Sequence, residues 1–544
     1  MYSKYSFHRR LTLRLLCIAL CACMALNGCS STSLPDDTLS SEQEETDDSV
    51  SSSEDSAYTY SDYELDDSFD RQSAASIILS GSTAQSNGSG VSINNATVTI
   101  SKEGCYLISG ELEDGQIIVD AGDSDKVQLV LDNASIHCST GSAILVRNAD
   151  KVKVTLAADS ENELSDGTEY QTDDDNPDAA LFSKDDLVIN GSGSLTVQGN
   201  YKHGIAGNDD LVITGGRLTV NSLSHALRGK DSVAILDGTF VLTSQKDGIH
   251  AEAYLNINGG TTTIAESYEG LEAAQIHISG GTTQVFSSDD GLNAAGGSSF
   301  ELVDGLLVLK DTSSSDTEQT FGGRGGMFEV EDNCDITISG GNLTVTTSNG
   351  DGIDSNGSLN VSGGTVLVFG SSSGGEEGAL DYTGSSSISG GTLVALGSSG
   401  MAQSMEPDDS HATLMVTWDE VQPAGTRLTL CTQQGEILCS LQSTNSFQTA
   451  VISTDSLSAG QKVSLYTSGT VNSDSQLLTM GTLSDGELLC EVTLSEGVTN
   501  ISSDGSQRSS QPGGSFGGGQ RPQGDRKQRP QQELTIGSSA ESNS

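Results

Sequence analysis

Residues 257–292, INGGTTTIAESYEGLEAAQIHISGGTTQVFSSDDGL, decide the fold. INGGTTTI at 257–264 returns as ISGGTTQV at 278–285, and Glu269-Gly270-Leu271-Glu272 returns as Asp290-Gly291-Leu292-Asn293. Working outward, the glycine-bearing piece recurs as INGSGSLTV (189–197), ITGGRLTV (213–220), LDGTFVL (236–242), VDGLLVL (303–309), ISGGNLTV (338–345), VSGGTVLV (361–368) and ISGGTLVA (388–395). Its second glycine is Gly193, Gly216, Gly238, Gly260, Gly281, Gly305, Gly341, Gly364 and Gly391, usually 21 to 24 residues apart. The longer step from Gly305 to Gly341 holds a glycine-rich insertion, DTSSSDTEQTFGGRGGMF (311–328). A second motif keeps phase: Gly204-Ile205-Ala206, Ala226-Leu227-Arg228, Gly248-Ile249-His250, Gly270-Leu271-Glu272, Gly291-Leu292-Asn293, Gly352-Ile353-Asp354 and Ala379-Leu380-Asp381. Its third residue precedes the second glycine by ten positions in five of these seven repeats, a fixed phase that random glycine-rich sequence would not hold.

A repeat near 22 residues, made of short strands that alternate apolar and polar and break at glycines, is the signature of one coil of a parallel β-helix. Recurrent glycine pairs exclude long helices. The expected fold class is therefore all-β, with a parallel β-helix over residues 77–400. Residues 77–185 have the same strand composition at looser spacing and read as the first coils. The pattern stops after Gly400; residues 401–503 read as a small antiparallel β-domain or a cap on the open end, and residues 504–544 as a disordered tail rich in Gln, Gly and Pro.

The order LVLDNASI (129–136), AILVRNADKVKVTLA (143–157), ENELSDG (161–167), DNPDAALFSKDDLVINGSGSLTVQGNYKHGI (175–205), NDDLVITGG (208–216), DGIDSNGSLNVSGG (351–364) and GALDY (378–382) resembles a bacterial family of calcium-dependent polysaccharide-binding β-helix proteins, the carbohydrate-binding domain-containing proteins. The resemblance implies a right-handed parallel β-helix of the pectate-lyase type and bound calcium. It also implies affinity for plant-type polysaccharide without demonstrated hydrolysis; the expected partner is a polysaccharide such as polygalacturonate or cellulose.

The N-terminus sets the expected compartment. Lys4, Arg9, Arg10 and Arg14 form a basic region, and LLCIALCACMAL at 15–26 is the short apolar core of a signal peptide, residues 1–28. Leu26-Asn27-Gly28-Cys29 resembles a lipobox, so Cys29 is expected to carry diacylglycerol and anchor the chain to the outer face of the cell membrane. Residues 29–76 then read as that anchor and an acidic, disordered tether, because between Ser30 and Asp70 there is no Lys or Arg to balance the acids. The formal charge of −50 argues against nucleic acid, which attracts a basic surface. An acidic protein meets cations, or uses them to reach anionic partners. Cys105, Cys138, Cys334, Cys431, Cys439 and Cys490 lack the paired spacing of a zinc site and read as buried thiols on strands, Cys431 and Cys439 being close enough across a turn to pair.

The chemistry sits in the second motif. Residues stacked on neighbouring coils lie about 4.8 Å apart, and two carboxylates at that distance repel by about 3–4 kcal/mol at an effective dielectric near 20. A column of them needs protons or cations. Calcium takes six to eight oxygens from carboxylates, amides, carbonyls and water. The expected calcium ligands are Asp247, Glu269, Glu272, Asp289, Asp290, Asn293, Asp351, Asp354 and Asp381, against the plainer reading that Asp-Gly is ordinary turn chemistry. Tyr201, Tyr254, Tyr268 and Tyr382 are the candidate sugar-facing rings. Catalysis is not expected. A lyase needs a strong base beside calcium, and Arg228 is the only basic residue in the motif's third position; Asp289-Asp290 are followed by no His until His411. The alternatives are a lyase or hydrolase acting on pectin-like substrate, and a surface adhesin stapled by calcium.

Overall fold

The computed structural model describes residues 58–171, 175–303, 306–310, 330–372, 377–471 and 475–508. The signal peptide, Cys29 and the tether up to residue 57 lie outside the described residues, as do residues 509–544 of the tail. The described chain is all-β with long parallel sheets. One sheet has 25 strands and a second has 12. A typical repeat gives one strand to the smaller sheet (His203–Gly207) and two to the larger (Leu211–Ile213 and Arg217–Ser222).

Register explains why the repeats stack. Ile189, Ile213, Ile235, Ile257, Ile278, Ile338, Val361 and Ile388 are successive partners in one column. None is more than 1% exposed. Leu181, Ile205, Leu227, Ile249, Leu271, Leu292, Ile353 and Leu380 form the matching column of the smaller sheet, and both columns belong to one apolar core. Each such side chain contributes about 1.5–3 kcal/mol by leaving water. The glycine pair closes each turn. Gly281 has φ 77°, the left-handed region that glycine enters freely, and a Cβ on Gly280 would lie 2.3 Å from the carbonyl oxygen of Asn258.

Two expectations are corrected. VDGLLVL is not a coil of the stack: Phe300–Val303 and Leu306–Leu309 pair antiparallel with each other, while Asp335–Ile338 stacks directly on Gln275–Ile278. The hairpin instead buries Phe300 and Leu307 against Ala253, Ala274 and Tyr254, which gives its apolar residues a satellite core. The acidic tether does not extend to residue 76. A short helix, Asp62–Leu65, holds Glu64 at 2% exposure beside the Lys151 ammonium. Lys153 Nζ lies 4.2 Å from the Tyr63 ring centroid, and the Tyr60 hydroxyl donates to Asn258 Oδ1 at 2.7 Å. The cations that order this acidic segment come from the sheet, about ninety residues downstream in sequence.

Past the last repeat, Thr392–Gly397 pairs antiparallel with Phe447–Thr454, which in turn pairs with Thr413–Gln422. A separate five-stranded antiparallel sheet is drawn from residues 427–493. These elements share a second core in which Trp418 meets Phe447 edge to face at 5.3 Å. The six cysteines named above are free thiols.

Candidate metal centre

The short strands of the smaller sheet carry the site. Their central residues form one outward column: Arg228, His250, Glu272, Asn293, Asp354 and Asp381 are consecutive register partners. The residues just before each strand form a second column. Backbone bonds Gly204 N to His225 O, Ala226 N to Asp247 O, Gly248 N to Glu269 O, Gly270 N to Asp290 O and Gly291 N to Asp351 O tie these turns one above the next. The alternation that buries Ile249, Leu271, Leu292 and Ile353 is what turns the following residue outward.

Eight of the nine expected ligands therefore fall in two adjoining columns, and Asp289 stands just outside them. Its backbone N–H donates to Tyr268 O at 2.8 Å. Three groups of side chains bring ligand atoms within 4.8 Å of one another: Asp290, Asp351 and Glu377; Asp247, Glu269 and Glu272; and His225, Asp247 and His250. Sequence reasoning missed Glu377, His225 and His250 as members. The histidines occupy positions of the two motifs already recognised, so their phase was a usable signal. Glu377 is displaced by one residue, because Gly378 takes the turn position that an acid fills elsewhere.

The two ends differ electrostatically. At the acidic end, burial raises Asp354 to about 7, helped by Asp290, Asp381 and Glu377. Burial likewise raises Asp290 to about 7, with Asp289, Glu269 and Glu377 adding to it. Glu269 rises to about 7 through burial and Glu272, and Asp351 rises through burial, Asp381 and Asp290. Donors only partly offset this: Asp290 Oδ1 accepts from Asp351 N at 2.7 Å and Asp381 Oδ1 from Gln403 Nε2 at 2.7 Å. Asn293 Nδ2 donates to Glu269 Oε2 at 3.1 Å, but its buried Oδ1 accepts no hydrogen bond. This acceptor, among carboxylates carrying charge they cannot spread, is a set of hard oxygen donors of the kind calcium takes. At the other end, burial opposes but does not prevent a rise of His250 to about 9, since Asp247 and Glu272 face it; Asp247 is held well below the usual carboxylate range despite its burial, by His225 and His250.

A pH prediction follows for the metal-free protein. Glu269, Asp290 and Asp354 have folded pKa values near 7, above their unfolded ones, so the folded state binds more protons between about pH 4 and 7. Stability should fall as pH rises through that window. His250 acts in the same sense up to about 9, whereas His203 and His225, pushed down by burial, act in the opposite sense below their unfolded value. With chelator present, the melting temperature should be a few degrees higher at pH 5.5 than at pH 8. An equal or lower value at pH 5.5 would show that the carboxylates do not strain the fold.

The candidate rings separate. Tyr268 is 49% exposed, beside the acidic columns. Tyr201 stacks on Tyr170 at 4.3 Å. Tyr254 lies on the other sheet, packed under the hairpin with its hydroxyl accepting from Leu307 N. Tyr382 is half-buried on the main core, its hydroxyl donating to Ser404 O at 2.8 Å. The hydroxyls of Tyr254 and Tyr382 are thus both engaged within the protein. Arg228 pairs with Glu252 at 3.3 Å, next to His250 rather than to the acidic end.

Residues 94–378, more than half of the chain, match the sequence profile of the carbohydrate-binding domain-containing proteins. The chain belongs to that family. A carbohydrate-binding domain-containing protein of Acetivibrio thermocellus is 42% identical over 139 residues, which are 25% of this chain and 49% of that relative. The chain thus matches about half the length of this curated relative. A solved structure of the polysaccharide lyase-like protein from C. thermocellum, a gadolinium derivative, is 28% identical; the match covers 53% of this chain and 96% of that one, with a TM-score of 0.37. The family match includes most of both columns and ends at Gly378, short of Asp381.

Proposed function

We propose that this carbohydrate-binding domain-containing protein is a lipid-anchored protein of the outer cell surface, and that it holds acidic plant-type polysaccharide through calcium. In this reading the parallel sheets wind as a right-handed parallel β-helix, Cys29 carries the lipid, and the acidic residues that follow it serve as a tether. Calcium sits at the acidic end of the columns, among Glu269, Asp290, Asn293, Asp351, Asp354, Glu377 and Asp381. The observation that carries the reading is the convergence of Asp290, Asp351 and Glu377 beside Asp354 and the unpartnered Asn293 Oδ1.

An ion there replaces the protons the buried carboxylates would otherwise need, and keeps positions open for sugar hydroxyls or uronate oxygens. That route lets a chain of formal charge −50 hold a polyanion such as polygalacturonate; cellulose is the neutral candidate. The protein binds without cleaving, since its one motif arginine, Arg228, is paired away from the acidic end. Sedimentation with insoluble polygalacturonate tests this: protein should pellet in calcium and stay in solution with EGTA. Pelleting that ignores EGTA would remove calcium from the account, and release of unsaturated sugars would make the protein a lyase. Tyr268 offers an exposed ring next in sequence to Glu269, so Tyr268→Ala should weaken pelleting several-fold while the melting temperature stays within the small range of surface substitutions.

A further inference from the structure

The columns do not end as they began. Toward the N-terminal repeats, oxygen donors give way to nitrogen. His225 Nδ1 lies 2.7 Å from Asp247 Oδ2, and His250 Nδ1 lies 2.9 Å from the same oxygen. The three side chains come from consecutive turns and one strand of the smaller sheet, whose backbone is tied by Ala226 N to Asp247 O and by the pairing of Arg228 with His250. The imidazoles are stacked plates: His203 on His225 at 4.8 Å and 9°, His225 on His250 at 4.5 Å and 28°. His203 is held apart from the cluster, because its Nδ1 accepts from His225 N at 3.3 Å and its Nε2 faces Asp178 Oδ2 at 3.5 Å. His225 Nδ1 is buried and has no hydrogen-bond partner, although it lies 2.7 Å from Asp247 Oδ2.

We infer that His225, Asp247 and His250 form a second metal site, distinct in chemistry from the acidic end, that takes a borderline divalent transition metal such as zinc. Two imidazoles and one carboxylate suit zinc, cobalt, nickel or copper, whereas calcium selects oxygen. Zinc bonds of about 2.0–2.2 Å place tetrahedral ligands about 3.3 Å apart. The 2.7 and 2.9 Å separations need to open by only about half an ångström, and the near-parallel rings must turn so that both Nδ1 lone pairs point at one ion. Three protein ligands leave a fourth position. Glu272 Oε2, 2.7 Å from His250 Nδ1, stands beside it and links this site to the oxygen ladder. The inference does not rest on the calcium reading, because it uses none of the residues from Asp290 onward.

Cobalt is the probe, since its visible absorption reports inner-sphere ligands. The purified chain, held in millimolar calcium at neutral pH, should bind one equivalent of Co²⁺ with new visible bands that zinc abolishes. His225→Gln together with His250→Gln should remove the bands and leave calcium-dependent pelleting unchanged. His411→Gln should retain them, which controls for the separate His411, Asp408 and Asp455 cluster. In case the double variant does not fold, X-ray absorption on the zinc-loaded wild type should show two imidazole nitrogens at about 2.0–2.1 Å. No saturable Co²⁺ signal, a signal that calcium displaces, one that survives in the double variant, or a zinc shell of oxygen alone would each overturn the site.

Discussion

Lys151→Met is expected to destabilise the protein by about 3–5 kcal/mol, the usual cost of removing one partner from a buried ion pair. Lys151 Nζ contacts Glu64 and lies 3.6 Å from Asp186 Oδ2, and the side chains of Lys151 and Glu64 are only 16% and 2% exposed. Burial pushes the Glu64 carboxyl up, but the Lys151 ammonium and the Ser61 N–H hold it below the usual range. Without the lysine, Glu64 keeps Ser61 N at 2.8 Å and the Tyr58 hydroxyl at 3.2 Å, neither of which is a cation. Urea unfolding measures the loss, and Lys151→Met with Glu64→Gln should recover part of it because Glu64 no longer carries a buried charge, although Asp186 also loses Lys151. Early proteolysis between residues 58 and 74 should mark the single variant. A loss under about 1 kcal/mol, the scale of an exposed pair, or no recovery in the double variant, would mean that the N-terminal segment is not anchored through Glu64.

The second large effect concerns binding. Asp354→Asn keeps size and polarity at the centre of the outer column, between Asn293 and Asp381, and removes one charge. Polygalacturonate affinity in calcium should fall by at least about tenfold, about 1.4 kcal/mol. Metal-free stability should hold or rise, because burial and the charges of Asp290, Asp381 and Glu377 already disfavour the Asp354 carboxylate. Isothermal titration and a thermal melt of the same sample separate the two effects. A variant that binds as tightly as wild type while folded removes Asp354 from the proposed calcium site; one that loses stability and binding together makes Asp354 structural.

Much of this was readable in the chain because parallel stacking copies phase into space. The second glycine of each pair marks a left-handed turn, as at Gly281 and Gly341, and the apolar residue of the in-phase motif fixes which neighbour faces out. Phase therefore brought Glu272, Asn293, Asp354 and Asp381 into one column before any coordinates. It failed at VDGLLVL, whose local pattern copies a coil while its partners are its own two strands. Composition failed at Glu64, since the lysine that balances it is remote in sequence. Tyr254 shares a repeat with the motif but belongs to the opposite sheet, which spacing along the chain does not distinguish. The histidines were visible in phase, yet a search for oxygen donors passed over them; their convergence on Asp247 depends on side-chain geometry.

The most direct test of the central claim is an anomalous difference map from crystals soaked with calcium and an oligogalacturonide. The account predicts a calcium peak within about 2.3–2.6 Å of oxygens from Asp290, Asp351 and neighbouring carboxylates, with a uronate oxygen completing the shell. Sugar density elsewhere with no ion at the acidic end, or an ion whose shell excludes the sugar, would contradict it.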